Sequence, residues 1–223
     1  MILYHCMSAR SFRPLWMLEE LELPYQLEML PFPPRVFDRS FLAKNPLGTV
    51  PAFLDGETFI TESAAICQYL AARAAPSPFN VEATEADFGA FLNYLHFGEA
   101  TLTFPQTLVL RYTRFEPDLR RSPQVADDYA KWFLARLKTL EQKLSEHDYL
   151  CADRFTAADV CVGYALLLAE YLELDSKFTP AVKNYWHRLR NRAGFARAMV
   201  AQERAAIQQG ISVTPAPCVQ FPV

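Results

Sequence analysis

The 223-residue sequence lacks an excess of either charge, a long apolar run and a paired cysteine motif. Its 22 Lys and Arg and 25 Asp and Glu are spread evenly, so no basic surface for nucleic acid is indicated. The longest apolar run, residues 160–169, is too short to cross a bilayer. Five scattered cysteines without a C-x-x-C argue against a disulfide framework or a zinc site. No signal pattern opens the sequence, and we therefore expect a cytosolic protein.

What the sequence contains is the composition of a globular protein, with 51% apolar and 21% charged residues. Its length allows one large or two small domains. Short apolar runs alternate with helix-start signals in the first third of the chain, which predicts the order β-α-β-α-β-β-α. The predicted strands are residues 1–5, 25–30, 52–54 and 58–60. One predicted helix begins at Ser11, and the other two cover residues 38–44 and 63–75. A rigid surface loop is predicted at residues 31–34. This order is the thioredoxin-like arrangement.

The rest of the chain is predicted to be helical. Pro76 and Pro78 indicate a linker, and apolar residues recur at helix spacing beyond it, with the last predicted helix at residues 195–209. We therefore predict an α+β thioredoxin-like domain at residues 1–76, a linker at 77–82, an all-α helical bundle at 83–209 and an irregular tail at 210–223.

Residues 47–66 carry the most informative pattern. Asp55-Gly56 between two short strands suits a tight hairpin, because glycine accepts a positive φ. Pro51 stands where the first of these strands begins and is a candidate for a cis peptide bond. Glu62 and Ser63 open the following helix, whose free N–H groups attract carboxylates and phosphates.

Val50-Pro51 followed by Glu62-Ser63 at this spacing resembles the glutathione site of cytosolic glutathione transferases, in particular the bacterial beta-like and theta-like ones. The resemblance implies that Val50, before a cis proline, pairs its backbone with the cysteinyl part of glutathione. It also implies that Glu62 and Ser63 hold the γ-glutamyl carboxylate and amine. Many relatives have Lys or Gln before the Val-Pro pair, where this chain has Thr49.

Because of that departure, the group that binds the glycyl carboxylate stays open. Arg35 is our candidate beside Thr49, with Arg39 and Lys44 as alternatives.

A second motif of the family is structural. Thr156 and Asp159 have the spacing of a capping box, and Phe155 and Val160 occupy the two ends of a hydrophobic staple. We therefore interpret Asp159 as a capping residue and not as a catalytic acid. The same box is a hallmark of the helical domain in this family, so the resemblance extends over residues 1–205.

The chemistry implied by the resemblance is attack of the glutathione sulfur on an electrophilic carbon, which requires the thiolate. A hydroxyl at a helix start can stabilise that anion. We predict that Ser11 does so, because it matches the serine of the beta-class pattern, and Ser8 is the theta-like alternative. Arg10 stands where beta-class enzymes carry a cysteine and is a further alternative, whereas Tyr4 and Cys6 are interpreted as buried strand residues.

The second substrate is predicted to bind an apolar pocket walled by Phe12, Phe104, Leu108 and Tyr112, although core packing explains the same residues equally well. We predict a homodimeric glutathione transferase that acts on small hydrophobic electrophiles, with no metal, nucleic-acid partner or membrane. The alternatives are a glutathione-dependent isomerase, dehalogenase or ether-cleaving enzyme, or a non-catalytic glutathione-fold binding module.

Overall fold

The computed structural model describes residues 1–74 and 76–220, which fall into two compact units. The first unit consists of residues 1–74 and 192–216, and the second of residues 76–191 and 217–220. Ala75, the predicted end of the third helix and part of the predicted domain boundary, lies outside the described residues. So do the last three residues of the predicted tail.

The first unit contains a mixed sheet of four strands in the order β2-β1-β3-β4. Strand β1 is parallel to β2 and antiparallel to β3, and β3 is antiparallel to β4. The strands are β1 (Ile2–His5), β2 (Gln26–Met29), β3 (Ala52–Asp55) and β4 (Thr58–Ile60). The sheet confirms the predicted thioredoxin-like domain.

The hairpin between β3 and β4 lies one residue later than predicted. Asp55 pairs with Thr58, so the turn residues are Gly56 and Glu57. Gly56 has φ +59°, which is the conformation that made glycine the expected residue.

Helices occupy most of the remaining described residues. The α-helices are α1 (Phe12–Glu20), α2 (Pro34–Phe37), α3 (Ser63–Arg73), α4 (Phe88–His96), α5 (Phe104–Leu110), α6 (Pro123–Leu137), α7 (Glu141–Glu146), α8 (Ala157–Tyr171), α9 (Pro180–Arg190) and α10 (Ala193–Gln208). The loop predicted at 31–34 ends in α2, because Pro34 fits the first turn of a helix. The predicted helix at 38–44 is a 3-10 helix, Arg39–Ala43. None of these helices is long and apolar enough to cross a membrane.

Helix α10 packs in the first unit, against α1 and β2. The ring of Phe195 meets the rings of Phe12 and Trp16 edge-on, at centroid distances of 5.5 and 5.1 Å. The guanidinium of Arg192 donates two hydrogen bonds to the carboxylate of Glu20, at 2.7 and 2.8 Å. The sequence-based division placed this helix in the helical bundle, because its periodicity shows an apolar face without showing what covers it.

The second unit is built around α8. Every residue from 157 to 169 is buried, so this helix is surrounded by others on all sides. Gly98 lies against its backbone, since a Cβ at that position would stand 2.5 Å from the carbonyl carbon of Cys161. Residues 97–103 and 111–115 are π-helical and join α4, α5 and the following segment into one interrupted helix around Pro105.

The predicted capping box opens α8. The fully buried Asp159 carboxylate accepts hydrogen bonds from the backbone N–H of Thr156 at 2.8 Å and of Leu150 at 3.1 Å. It also accepts from the Tyr185 hydroxyl at 2.8 Å. Burial raises the pKa of Asp159 to about 6, and these donors oppose the rise. One carboxylate thus holds the helix start, the segment before it and α9 together.

Replacing Asp159 with alanine should lower the free energy of unfolding by roughly 2–4 kcal/mol, since a lost cap costs ~1 kcal/mol and each orphaned buried donor ~1–3 kcal/mol. The measurement is the urea midpoint at pH 7. Asp127→Ala is the matched control, because that carboxylate is exposed and pairs with Lys131 on the surface. Equal midpoints for Asp159→Ala and the parent would contradict the structural role.

Candidate functional site

The segment before Val50 is shaped by a buried asparagine. The Asn45 side chain donates to the carbonyl of Thr49 at 2.8 Å and accepts from the N–H of Leu47 at 3.2 Å. The Val50–Pro51 peptide bond is cis, as predicted. Val50 is half-buried and Thr49 exposed, so the backbone at this corner is presented at the surface of the first unit.

Helix α2 lies directly against this segment. Gly48 has φ +61°, and a Cβ there would stand 2.7 Å from the Cβ of Arg35. The exposed side chain of Arg35 therefore starts beside Thr49, where a glycyl carboxylate is expected. Lys44, an alternative candidate, instead donates to the Tyr4 hydroxyl at 2.9 Å, and this bond raises the pKa of Lys44.

The start of α3 brings Glu62 and Ser63 together as predicted, with Glu62 exposed in the N-cap position and Ser63 as the first helical residue. The Ser63 hydroxyl accepts a hydrogen bond of 3.1 Å from the guanidinium of Arg13, which is fully buried. Because that bond uses the oxygen of Ser63, its own O–H can still donate to a ligand. The buried cation adds positive charge to a helix N-terminus that already favours anions.

Ser11 occupies the N-cap position of α1 and is fully buried. Its oxygen lies 2.7 Å from Nδ1 of His5 and 3.4 Å from the backbone N–H of Cys6, and it does not cap its own helix. Burial raises the pKa of the Cys6 thiol, so this neighbouring cysteine stays protonated at neutral pH. The role of Ser11 toward a bound thiolate stays a prediction.

His5 connects Ser11 to the C-terminal helix. Its Nε2 lies 3.0 Å from Oε1 of Gln202, and the same oxygen accepts from the backbone N–H of Ser8 at 2.9 Å. Since an N–H can only donate, the atom of Gln202 that faces Ser8 is the oxygen. His5 therefore carries its proton on Nε2 and accepts the hydroxyl proton of Ser11 on Nδ1. Burial lowers the pKa of His5 to about 4, so the ring is neutral at pH 7.

Ser8 and Arg10 complete the segment between β1 and α1. Ser8 is almost fully buried and has φ +53°, an uncommon conformation for a residue with a side chain. Arg10 is half-buried at the end of the same segment. The three predicted thiolate donors thus lie within one short loop, next to β1.

Several residues of this site were missed in the sequence. These are four polar residues that are at most 1% exposed: Asn45, Arg13, His5 and Gln202. Their positions in the sequence do not show that they are buried, because a polar residue in a helix or beside apolar residues is usually expected to face solvent. A basic residue in the first turn of α1, where the helix dipole disfavours it, is the one available signal for Arg13.

Comparison with known proteins identifies the family. The family description "Glutathione S-transferase, N-terminal domain" matches residues 7–73, and "Glutathione S-transferase, C-terminal domain" matches residues 64–193. The chain belongs to the glutathione S-transferase family. The predicted family membership is therefore confirmed, and this family uses glutathione as the co-substrate of its transferases.

Individual relatives of this glutathione transferase are distant but nearly complete in coverage. Glutathione S-transferase 3 of Schizosaccharomyces pombe is 24% identical over 204 residues, which cover 82% of this chain and 80% of that protein. A glutathione transferase structure from Methylococcus capsulatus is 27% identical, with a TM-score of 0.79 over 90% of this chain and 98% of its own. A sphingomonad glutathione S-transferase complexed with glutathione shares the fold at 24% identity and a TM-score of 0.79, over 91% of this chain and 98% of its own.

The predicted pocket residues of the transferase lie in different environments. Phe12 has no exposed surface and packs against Trp16 and Phe195, so it belongs to the core of the first unit and does not line an open pocket. A core aromatic that follows a site residue looks the same in sequence as a pocket aromatic. Phe104 is 49% exposed, and Leu108 and Tyr112 follow on the same helix face, each half-buried.

The buried, neutral His5 should make the stability of the transferase depend on pH. An unfolded histidine binds a proton near pH 6.5, while the folded one does so only near pH 4. The unfolded state therefore takes up more protons between these values, and acidification from pH 6.5 to 4 should remove up to about 3 kcal/mol of stability.

The measurement compares the pH dependence of urea midpoints between the parent and His5→Asn, with His96→Asn at an exposed histidine as control. Asp159, with its pKa raised to about 6, stabilises on acidification and is present in all three proteins, so its effect cancels in the comparison. The slope should flatten only in His5→Asn. A parallel slope in all three proteins would contradict the neutral state of His5.

Proposed function

We propose that this transferase conjugates the thiolate of glutathione to small hydrophobic electrophiles, as a cytosolic homodimer that serves detoxification. One observation carries the proposal: the first unit brings the backbone of Val50 and the start of α3 with Ser63 into one scaffold. The former offers peptide-like hydrogen bonds, and the latter offers an anion site backed by the buried Arg13. An extended peptide with a carboxylate at its end matches both.

The γ-glutamyl end of glutathione is assigned to the start of α3. Its carboxylate would take the N–H groups of the first turn and the hydroxyl of Ser63, and its amine would take the exposed carboxylate of Glu62. Arg13 holds the oxygen of Ser63 from behind, which orients the hydroxyl toward the ligand.

The rest of the peptide is assigned to the segment shaped by Asn45. The cysteinyl backbone would pair with the N–H and C=O of Val50, next to Pro51. The glycyl carboxylate would meet the N–H and hydroxyl of Thr49 and the guanidinium of Arg35, which starts beside that segment.

The thiolate is assigned to the loop before α1. Lowering a thiol pKa from ~8.5 by roughly two units takes about 2.7 kcal/mol of preferential thiolate stabilisation. Ser11 remains our proposed donor, with Ser8 and Arg10 as alternatives. The hydroxyl of Ser11 is bound to the neutral His5, and a charge-assisted bond to a thiolate is stronger than a bond to a neutral imidazole. The anion can therefore draw this hydroxyl away from the ring.

The electrophile is assigned to the apolar face of α5 and the π-helical segment after it. Phe104, Leu108 and Tyr112 recur every fourth residue on that face and keep exposed surface, which suits an apolar ligand.

The function is tested by retention on glutathione-agarose together with turnover of a halonitroarene. We expect both, and we expect Ser63→Ala to weaken the affinity for glutathione by on the order of 1–3 kcal/mol, because it removes one buried polar contact. Calorimetric titration measures that affinity, and Ser145→Ala, at an exposed serine of α7, is the matched control. Retention without turnover would favour a non-catalytic binding module, and an unchanged affinity in Ser63→Ala would refute its assignment.

The role of Ser11 is tested by its own variant. Ser11→Ala should raise the pKa of bound glutathione and lower turnover at neutral pH by about 10²–10³-fold if it is the dominant donor. The measurement is the pH dependence of thiolate absorbance in proteins saturated with glutathione. Ser8→Ala is the companion variant, and an upward shift in that variant alone would transfer the role from Ser11 to Ser8.

A further inference from the structure

The loop between β1 and α1, residues 6–11, is held by the chain end at two points. Oε1 of Gln202 accepts from the N–H of Ser8 at 2.9 Å, and the carbonyl of Met7 accepts from the N–H of Ala216 at 2.7 Å. Both partners belong to the first unit but lie roughly 200 residues later in the chain. The loop that carries the proposed thiolate donors is therefore fixed by helix α10 and the segment after it.

Gln202 uses both ends of its amide in this contact. The oxygen accepts from Ser8 and from His5, while the nitrogen lies 3.3 Å from the hydroxyl oxygen of Ser8 and 3.4 Å from the sulfur of Met199. The side chain is only 1% exposed. An apolar residue of the same size would remove the acceptor that the N–H groups of Ser8 and His5 use in the interior of the unit.

The bond to Gln202 also decides which way the hydroxyl of Ser11 points. The amide oxygen keeps the proton of His5 on Nε2, which makes Nδ1 an acceptor for the Ser11 hydroxyl 2.7 Å away. In this tautomer the Ser11 hydroxyl points at the ring, and it turns to a thiolate only when the anion draws it away. Without the oxygen of Gln202 this tautomer is no longer fixed. The backbone of Ser8, at φ +53°, loses a bond that holds it in an uncommon conformation.

We propose that Gln202 is a positioning residue for thiolate formation: it holds the N–H of Ser8 and thereby the backbone of the loop that carries Ser8, Arg10 and Ser11. The inference rests on the proposed function, since it assigns the thiolate to this loop. Gln202 contacts neither glutathione nor the electrophile in this proposal. Its effect reaches the sulfur only through the alignment of the loop.

The test is Gln202→Met, which keeps the size of the side chain and removes the amide. We expect the thiol pKa of bound glutathione to rise by about one unit, and kcat at pH 7 to fall about threefold, because a rise from about 6.5 to about 7.5 lowers the thiolate fraction by that factor. The KM for glutathione should change less than threefold, because Val50, Glu62 and Ser63 still hold the peptide. Above the new thiol pKa, kcat should return toward the parent value, which a merely structural defect would not allow.

Gln209→Met is the matched control. This glutamine follows α10 directly and also uses both ends of its amide, but it binds the backbone of Met29 and Leu27 in β2, each at 2.8 Å. It should lower the urea midpoint without moving the thiol pKa. If Gln202→Met does not fold, Gln202→Asn is used instead. Its side chain is also a neutral amide, but it is too short to reach the N–H groups of Ser8 and His5.

The outcomes separate cleanly. A raised thiol pKa in the Gln202 variant with an unchanged pKa in Gln209→Met supports the proposal. An unchanged thiol pKa in a folded Gln202 variant, or an equal rise in both, overturns it. A parent protein that binds glutathione without lowering its thiol pKa, or that shows no conjugation, refutes the proposed function itself before any variant is compared.

Discussion

The docking of α10 on α1 is the interaction on which the first unit depends. Phe195 closes the apolar side of α1 against Phe12 and Trp16, and the bidentate bond between Arg192 and the nearly buried carboxylate of Glu20 fixes the start of α10. This contact in turn places Gln202 over the loop that precedes α1. The sheet, the cis proline corner and the start of α3 form the surface that we propose for glutathione, and the loop beside them is held by contacts with α10.

The strands and most helices of the first unit were predictable, because each has a local signal that no tertiary contact overrides. Gly56 marked the hairpin through its positive φ, although the turn lies one residue later than expected, and Pro51 marked the cis corner. The box of Thr156 and Asp159 was found for the same reason, since both of its partners lie within one helical turn. What spacing alone did not show is that Asp159 also holds Tyr185 and Leu150.

The organisation of the site was less predictable, because it depends on buried polar residues whose partners are distant in the sequence. Hydrophobic periodicity treats Arg13, His5 and Gln202 as interruptions of an apolar pattern. In the fold each is buried against polar partners that are distant in the sequence, such as Ser63 for Arg13 and Gln202 for His5. Phe12 was assigned wrongly for a different reason, since nothing in the neighbouring sequence distinguishes a core aromatic from one that lines a pocket. The placement of α10 was wrong for the same reason, because its sequence shows an apolar face but not that this face packs against α1.

The first unit is discontinuous in the sequence, because residues 76–191, which form most of the second unit, lie between its two parts. During synthesis, residues 1–74 leave the ribosome long before residues 193–216 exist. Until then His5 and the backbone of Ser8 lack their buried acceptor, and the apolar side of α1 lacks Phe195. The helical unit has residues 76–191, which include the whole of α8 and its neighbours, once α9 has emerged, so it can fold before the first unit is complete. The first unit can therefore be completed only after residues 192–216 have been synthesised, and until then the chain carries a folded helical unit joined to an unfinished first unit.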